Sequence, residues 1–113
     1  MASADEIYIT IKGVGGHAAL PHKYNNPIVA AAKLIINLEE HFLEYQDMPS
    51  VFAIGFVQAN GHTNVIPESI ELKGTFRTMN EEFRNLAHEK MQKIASAIAK
   101  EYSIDVNFSI IKG

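Results

Sequence analysis

Residues 27–45 read as one helix carrying more apolar surface than a single packed layer can cover. Asn26-Pro27 opens it, with Asn26 as N-cap and Pro27 at the first helical position, where a missing N–H costs nothing. At about 100° per residue, Lys33, Asn37, Glu40 and Glu44 fall on one narrow polar stripe. Ile28, Val29, Ala31, Ala32, Leu34, Ile35, Ile36, Leu38, Phe42, Leu43 and Tyr45 spread over an arc of roughly 220°. A helix lying on one sheet needs an apolar stripe of only about 100° or somewhat more. The surplus demands a second partner.

The rest of the chain supplies the sheet. Residues 6–12 alternate, with Ile7, Ile9 and Ile11 against Tyr8, Thr10 and Lys12, which predicts a half-buried strand. A second strand over 50–58 sets Phe52, Ile54 and Phe56 against Val51, Ala53 and Val57, apolar on both faces. In a third, over 69–77, Ile70, Leu72 and Phe76 oppose Glu71, Lys73, Thr75 and Arg77. Thr78 followed three residues later by Glu81 has the capping-box pattern. The second helix, to about residue 102, gathers Phe83, Leu86, Ala87, Met91, Ile94, Ala97 and Ile98 into an ordinary arc of roughly 140°. A last strand alternates Ile104, Val106, Phe108 and Ile110 with polar residues.

The order β-α-β-β-α-β predicts an α+β, ferredoxin-like fold: a four-stranded antiparallel sheet with two helices on one face. First and last strands then lie side by side, the chain ends emerge together, and the second strand sits at an edge. An apolar edge without Lys, Glu or Pro across residues 51–57 is an aggregation hazard unless paired. Taken with the over-apolar helix, this predicts a homodimer through helix 27–45 and strand 50–58.

Composition narrows the classes. The 113 residues suit one domain, expected over 5–113 after a small leader at 1–4. Ten Lys and Arg against 13 Asp and Glu give a net charge of −3, which argues against a nucleic-acid partner. No apolar run is long enough to span a bilayer, so no membrane partner is expected. Cysteine is absent, which removes disulfides, thiolate metal sites and cysteine nucleophiles; a cytoplasmic location is the expectation.

Chemistry concentrates in loops. After the first strand comes Gly13-Val14-Gly15-Gly16-His17-Ala18-Ala19-Leu20-Pro21-His22, which matches neither the dinucleotide fingerprint nor the phosphate loop. Glycines here either let the chain reverse or let the loop approach a ligand, with His17 projecting. His17, His22 and His62 all sit in loops, but a metal needs three or four converging ligands. No Asp or Glu lies between Lys12 and Leu38, so this chain is expected to hold no metal. Asn64 closes the turn before the third strand and Arg77 ends it. Arg77 could pair with Asp105 or Glu71 across the sheet, or its planar fork beside a turn amide could grip a ligand carboxylate.

The stretches GVGGHAALPHKYNNPI and TNVIPESIELKGTFRT, in this order of elements, resemble the dimerisation (lid) domain of the zinc-dependent aminoacylase/carboxypeptidase superfamily. The branch most resembled is that of the N-acyl-amino-acid amidohydrolases and hippurate hydrolases. The resemblance implies a lid acting with a separate catalytic domain that holds two zinc or similar ions and a Glu general base. Those ligand motifs are absent here, so the chain alone is expected to be inactive and to bind no cofactor. The resemblance further implies that His17 reaches a neighbouring subunit's active site and hydrogen-bonds the oxyanion. Asn64 would help hold the substrate's polar groups, and Arg77 would bind the carboxylate of the amino-acid portion. Gly15 and Gly16 would allow the loop's close approach, and His22 would be structural. Two other classes compete. One is a free-standing amino-acid-binding regulatory module of the same topology; the other, an RNA-binding module, is disfavoured because the polar sheet face offers Tyr8 and no stack of aromatics.

Overall fold

The computed structural model describes residues 3–43 and 50–113. Alternation decides which face of the sheet is dry. On β1 (Ser3–Lys12), Ile7, Ile9 and Ile11 are buried while Glu6 and Lys12 are exposed. On β5 (Ser69–Thr78), Ile70, Leu72 and Phe76 are buried in phase with them. The helices α1 (Pro27–Leu43) and α2 (Glu81–Tyr102) pack on that dry face and on each other. The four main strands, completed by β3 (Ser50–Ala59) and β6 (Asp105–Ile111), run in the order β3-β5-β1-β6, with every neighbouring pair antiparallel. This is the ferredoxin-like arrangement that the order of elements predicts. Two-residue strands β2 (Gly16–His17) and β4 (Val65–Ile66) form a separate small sheet.

Several boundaries move, each for a local reason. β1 begins at Ser3, so Ser3 and Ala4, read as leader, pair with Thr78 and Arg77; residues 1 and 2 lie outside the described residues. α1 is described to Leu43, and the remaining two residues of the expected helix lie outside the described residues. Its start is as expected, for the Ile28 N–H donates to Asn26 Oδ1 at 2.9 Å. α2 is capped by Asn80 rather than Thr78: Asn80 Oδ1 accepts from the Phe83 N–H at 2.8 Å, while Thr78 Oγ1 accepts from the Asn80 N–H. At the other end Ser103 takes the left-handed conformation (φ 52°).

The edge strand differs most from its alternation. β3 opposes Ile54 to Gly74 but Phe56 to Lys73, so Gly55 is the extra residue of a bulge. Phe56 is thereby turned onto the open face, where the Lys73 ammonium stands 4.7 Å from its ring centroid. Val57 takes its place in phase with the core residues. Opposite the bulge, Gly74 is required sterically, since a Cβ there would lie 2.3 Å from the Ala53 carbonyl oxygen.

α1 buries Ala30, Ala31, Leu34, Leu38 and Phe42 and leaves a second apolar stripe in water. Ile28, Val29 and Ile36 are 45%, 51% and 51% exposed, and Leu43 is 65% exposed. On β3, next to α1, Val51 and Val57 are also more than half exposed. α1 and the helix side of the β3 edge, at Val57 opposite Leu72, therefore both carry uncovered apolar surface, while Val51, opposite Arg77, lies on the open face of the sheet.

A buried ionic cluster closes the end of the sheet where β1 starts. Asp5 is in phase with Ile7 and fully buried. Arg84 donates to both its oxygens, His88 Nε2 lies 2.6 Å from Oδ2, and the Gly113 N–H donates to Oδ1 at 3.2 Å. Burial pushes the Asp5 carboxyl up, but the hydrogen bonds from Arg84, His88 and Gly113 outweigh it and leave the pKa below the ordinary value. Since the folded-state pKa is the lower one, the ionised Asp5 stabilises the fold fully above the usual carboxylate range. That stabilisation is lost as pH falls through the folded value. Asp5→Ala should therefore cost about 3–5 kcal/mol at neutral pH, as expected for one partner removed from a buried pair. Urea melts repeated at falling pH should show the difference between variant and parent shrinking in acid.

Candidate functional site

The first loop is built to present His17. Pairing of Gly16 with Ile66 and His17 with Val65 ties it to the loop after β3. The Ala18 N–H donates to the Asn64 carbonyl at 2.9 Å, so His17 and Asn64 stand at the same end of the sheet. Gly15 makes the approach possible: a Cβ there would lie 2.6 Å from the Ile66 carbonyl oxygen. Gly16 is less constrained, with nothing nearer than 3.5 Å to a would-be Cβ. The other side of the loop is anchored through the Val14–Asn25 bridge, and Asn25 Nδ2 donates to the Tyr102 and Ser103 carbonyls at 2.7 and 2.8 Å. Asn25 thus satisfies carbonyls left open at the end of α2 and fixes the loop to the core.

His17 is exposed, and its ring is oriented by its own backbone: the Ala19 N–H donates to Nδ1 at 3.1 Å. With Nδ1 accepting, a neutral ring carries its proton on Nε2. His22 lies exposed on a single 3₁₀ turn, Pro21–Lys23, and His62 is bridged to Val65 through its backbone. The three loop histidines do not form a ligand set. Among the described residues no group of three or more His, Cys, Asp or Glu side chains could hold a metal ion. The zinc pair that the resemblance implies belongs to the separate catalytic domain, and the described residues offer no ligand set of their own for it.

Arg77 is elsewhere. It is exposed on the open face of β5, between Ala4 of β1 and Val51 of β3. Eight rungs of ladder at about 3.4 Å each, roughly 27 Å, separate it from the Ser69–Lys12 rung beside the His17 end. Neither proposed neighbour is available: Asp105 faces Lys12 and Glu71 faces Thr10, both at the far end. The fork and the turn amide, read from the sequence as neighbours, are separated by the length of the sheet, because a ten-residue strand lies between them. Among the described residues, the Arg77 side chain makes no ion pair or hydrogen bond.

The Asp5–Arg84–His88 cluster is absent from the sequence reading, though two signals existed. Asp5 has the parity of Ile7, Ile9 and Ile11, which puts a charge on the core side of a strand. Arg84 stands seven residues before Met91 and so on the buried face of α2.

Comparison with known proteins agrees with the architecture. The family model described as a peptidase dimerisation domain matches residues 3–103. N-acetylcysteine deacetylase of Bacillus subtilis is 38% identical over 112 residues, covering 96% of this chain and 29% of that protein. N-acyl-L-amino acid amidohydrolase of Geobacillus stearothermophilus is 33% identical over 111 residues, covering 96% and 30%. The crystal structure of AtUAH in complex with (S)-hydroxyglycine superposes with a TM-score of 0.88 at 31% identity, covering 97% of this chain and 27% of that one. The chain thus spans under a third of the length of the curated relatives it matches.

The two glycines should separate on substitution. Gly15→Ala is expected to part β2 from β4 and shift the amide resonances of residues 14–18 and 62–68. Gly16→Ala should leave that pattern close to the parent's, as an amide-correlation spectrum of each variant would reveal.

Proposed function

This chain belongs to the peptidase dimerisation domain family, and from that premise we propose that it is the lid and dimerisation domain of a metal-dependent amidohydrolase acting on N-acyl amino acids or small peptides. Support for the substrate class comes from the names of the relatives, two of which are an N-acetylcysteine deacetylase and an N-acyl-L-amino acid amidohydrolase. The larger part of such an enzyme would hold the metal ions and the general base, in the cytoplasm. A free-standing amino-acid-binding module finds no support among these relatives.

The observation that carries the reading is the exposed His17, whose Nδ1 accepts from the Ala19 N–H at 3.1 Å. A preset N–H donor suits a developing oxyanion at a scissile amide, where one such donor is worth about 3 kcal/mol. Asn64, at the same end, would hold polar groups of the substrate. Arg77 would take the carboxylate of the amino-acid portion, with its five donors in a fixed fork.

Separation of the two ends bears on how they act. Roughly 27 Å of sheet exceeds the length of an N-acyl amino acid, so one lid cannot present His17 and Arg77 to one substrate molecule. A two-fold dimer resolves this: one lid's His17 end meets the site served by the other's Arg77 end. The uncovered apolar area of α1 and β3 supplies the surface for it. Lid closure would then assemble each site from two copies.

Two measurements test this in the enzyme that carries the domain. His17→Ala and Arg77→Met should each be severely impaired, the first by about 10²–10³ in kcat. Subunits of the two variants, mixed and allowed to exchange, should recover about a quarter of parent activity. Half the dimers are then mixed and each has one intact site. No recovery would place both residues in the same site-half and end the trans reading. On the 113-residue chain, Ile36→Glu should convert dimers to monomers in sedimentation. A parent chain that sediments as a monomer at high concentration would count against the interface.

A further inference from the structure

The buried Asp5 cluster stands at the Arg77 end of the sheet. Asp5 pairs in register with Phe76, and Ala4 with Arg77, so the buried carboxylate and the exposed guanidinium occupy adjacent rungs on opposite faces of the sheet. Arg77 is the next-to-last residue of β5, and Ala4 the second of β1. Terminal rungs of a ladder fray first, because little of the core depends on them. β3 holds Arg77 on one side through Val51, and fraying of the β1 rung would release it on the other; a misplacement of about 1 Å is enough to weaken a positioned contact severely.

The cluster opposes that motion with directional bonds. Arg84 reaches Asp5 from the first turns of α2, a helix seated by Phe83, Ala87 and Met91 in the core. Its guanidinium also donates to the Gly113 carbonyl at 3.2 Å and to Glu81 at 3.3 Å. Gly113 donates its N–H back to Asp5. His88, mostly buried, occupies Asp5 Oδ2 beside Arg84. The start of β1, the segment after β6 and the N-terminal turns of α2 are thus fixed to one carboxylate. An apolar residue at position 5 would fill the same space without fixing direction. Buried ion pairs add little net stability over apolar replacements, and specification of register is their best-attested use.

We propose that Asp5, Arg84 and His88 are positioning residues for Arg77, holding the last rungs of β1 and β5 so that the guanidinium meets substrate in a preset place. The inference rests on the reading of Arg77 as the carboxylate-binding group.

Arg84→Lys keeps the charge and removes the fork. In the 113-residue chain, amide exchange at residues 4–6 and 76–78 should accelerate about tenfold in this variant. Residues 9–11 and 70–72, at the other end of the same strands, should stay near parent rates. His88→Gln should give the same pattern at lower amplitude, and serves if Arg84→Lys does not fold. Uniform acceleration along both strands, or none, overturns the proposal. In the enzyme carrying the domain, Arg84→Lys should raise KM about tenfold for a substrate with a free carboxylate. The matching carboxamide should be turned over at the parent kcat/KM. An equal fall for both substrates means a merely structural role and also overturns it. Should Arg77→Met itself fail to separate the two substrates, the reading of Arg77 is what falls; the exchange pattern still decides whether the cluster orders this end.

Discussion

Apolar area that one layer of helices over one sheet cannot enclose is the constraint from which most of this molecule follows. α1 faces the core through Leu34, Leu38 and Phe42, yet presents Ile28, Val29 and Ile36 to the outside. At about 25 cal/mol per Å² of apolar surface removed from water, a strip of this kind provides a substantial drive for association. α1 and β3 are neighbours, and Val57 adds exposed apolar surface on the helix side of that edge. The family to which the chain belongs is described as a peptidase dimerisation domain.

A second constraint is length. Ten-residue strands make a domain 50 Å long and 22 × 19 Å across. Loops that carry His17 and Asn64 occupy one end and Arg77 the other. Chemistry that needs both ends therefore needs two molecules or two substrates. Strand length thus sets the separation of these candidate residues as firmly as their identities set their chemistry.

Much of the fold was legible because its signals are periodic. Alternation on β1 and β5 and the wide arc of α1 fix faces, and faces fix the layer order. Legibility failed where a single residue breaks the period. Gly55 inserts an extra position, and everything after it on β3 changes face, so Phe56 meets Lys73 rather than the core. It failed again at α2, where Asn80 competes with Thr78 for the cap and wins by lying immediately before the helix. Of the candidate site, the loop histidine and its glycine were readable as residue types. Two features were not. The contact that sets the His17 tautomer depends on a backbone N–H, and the distance to Arg77 depends on which loops the strands connect.

The hump at Gly55 has one further consequence. An open strand edge without charge is a template that any extended segment can join, and a flat one would admit neighbour after neighbour. Here the backbone buckles midway, where nothing lies within 4 Å of the position a glycine side chain would take. Only a surface shaped to receive that buckle can lie against it along its whole length. Such an edge favours closed pairs over growing filaments.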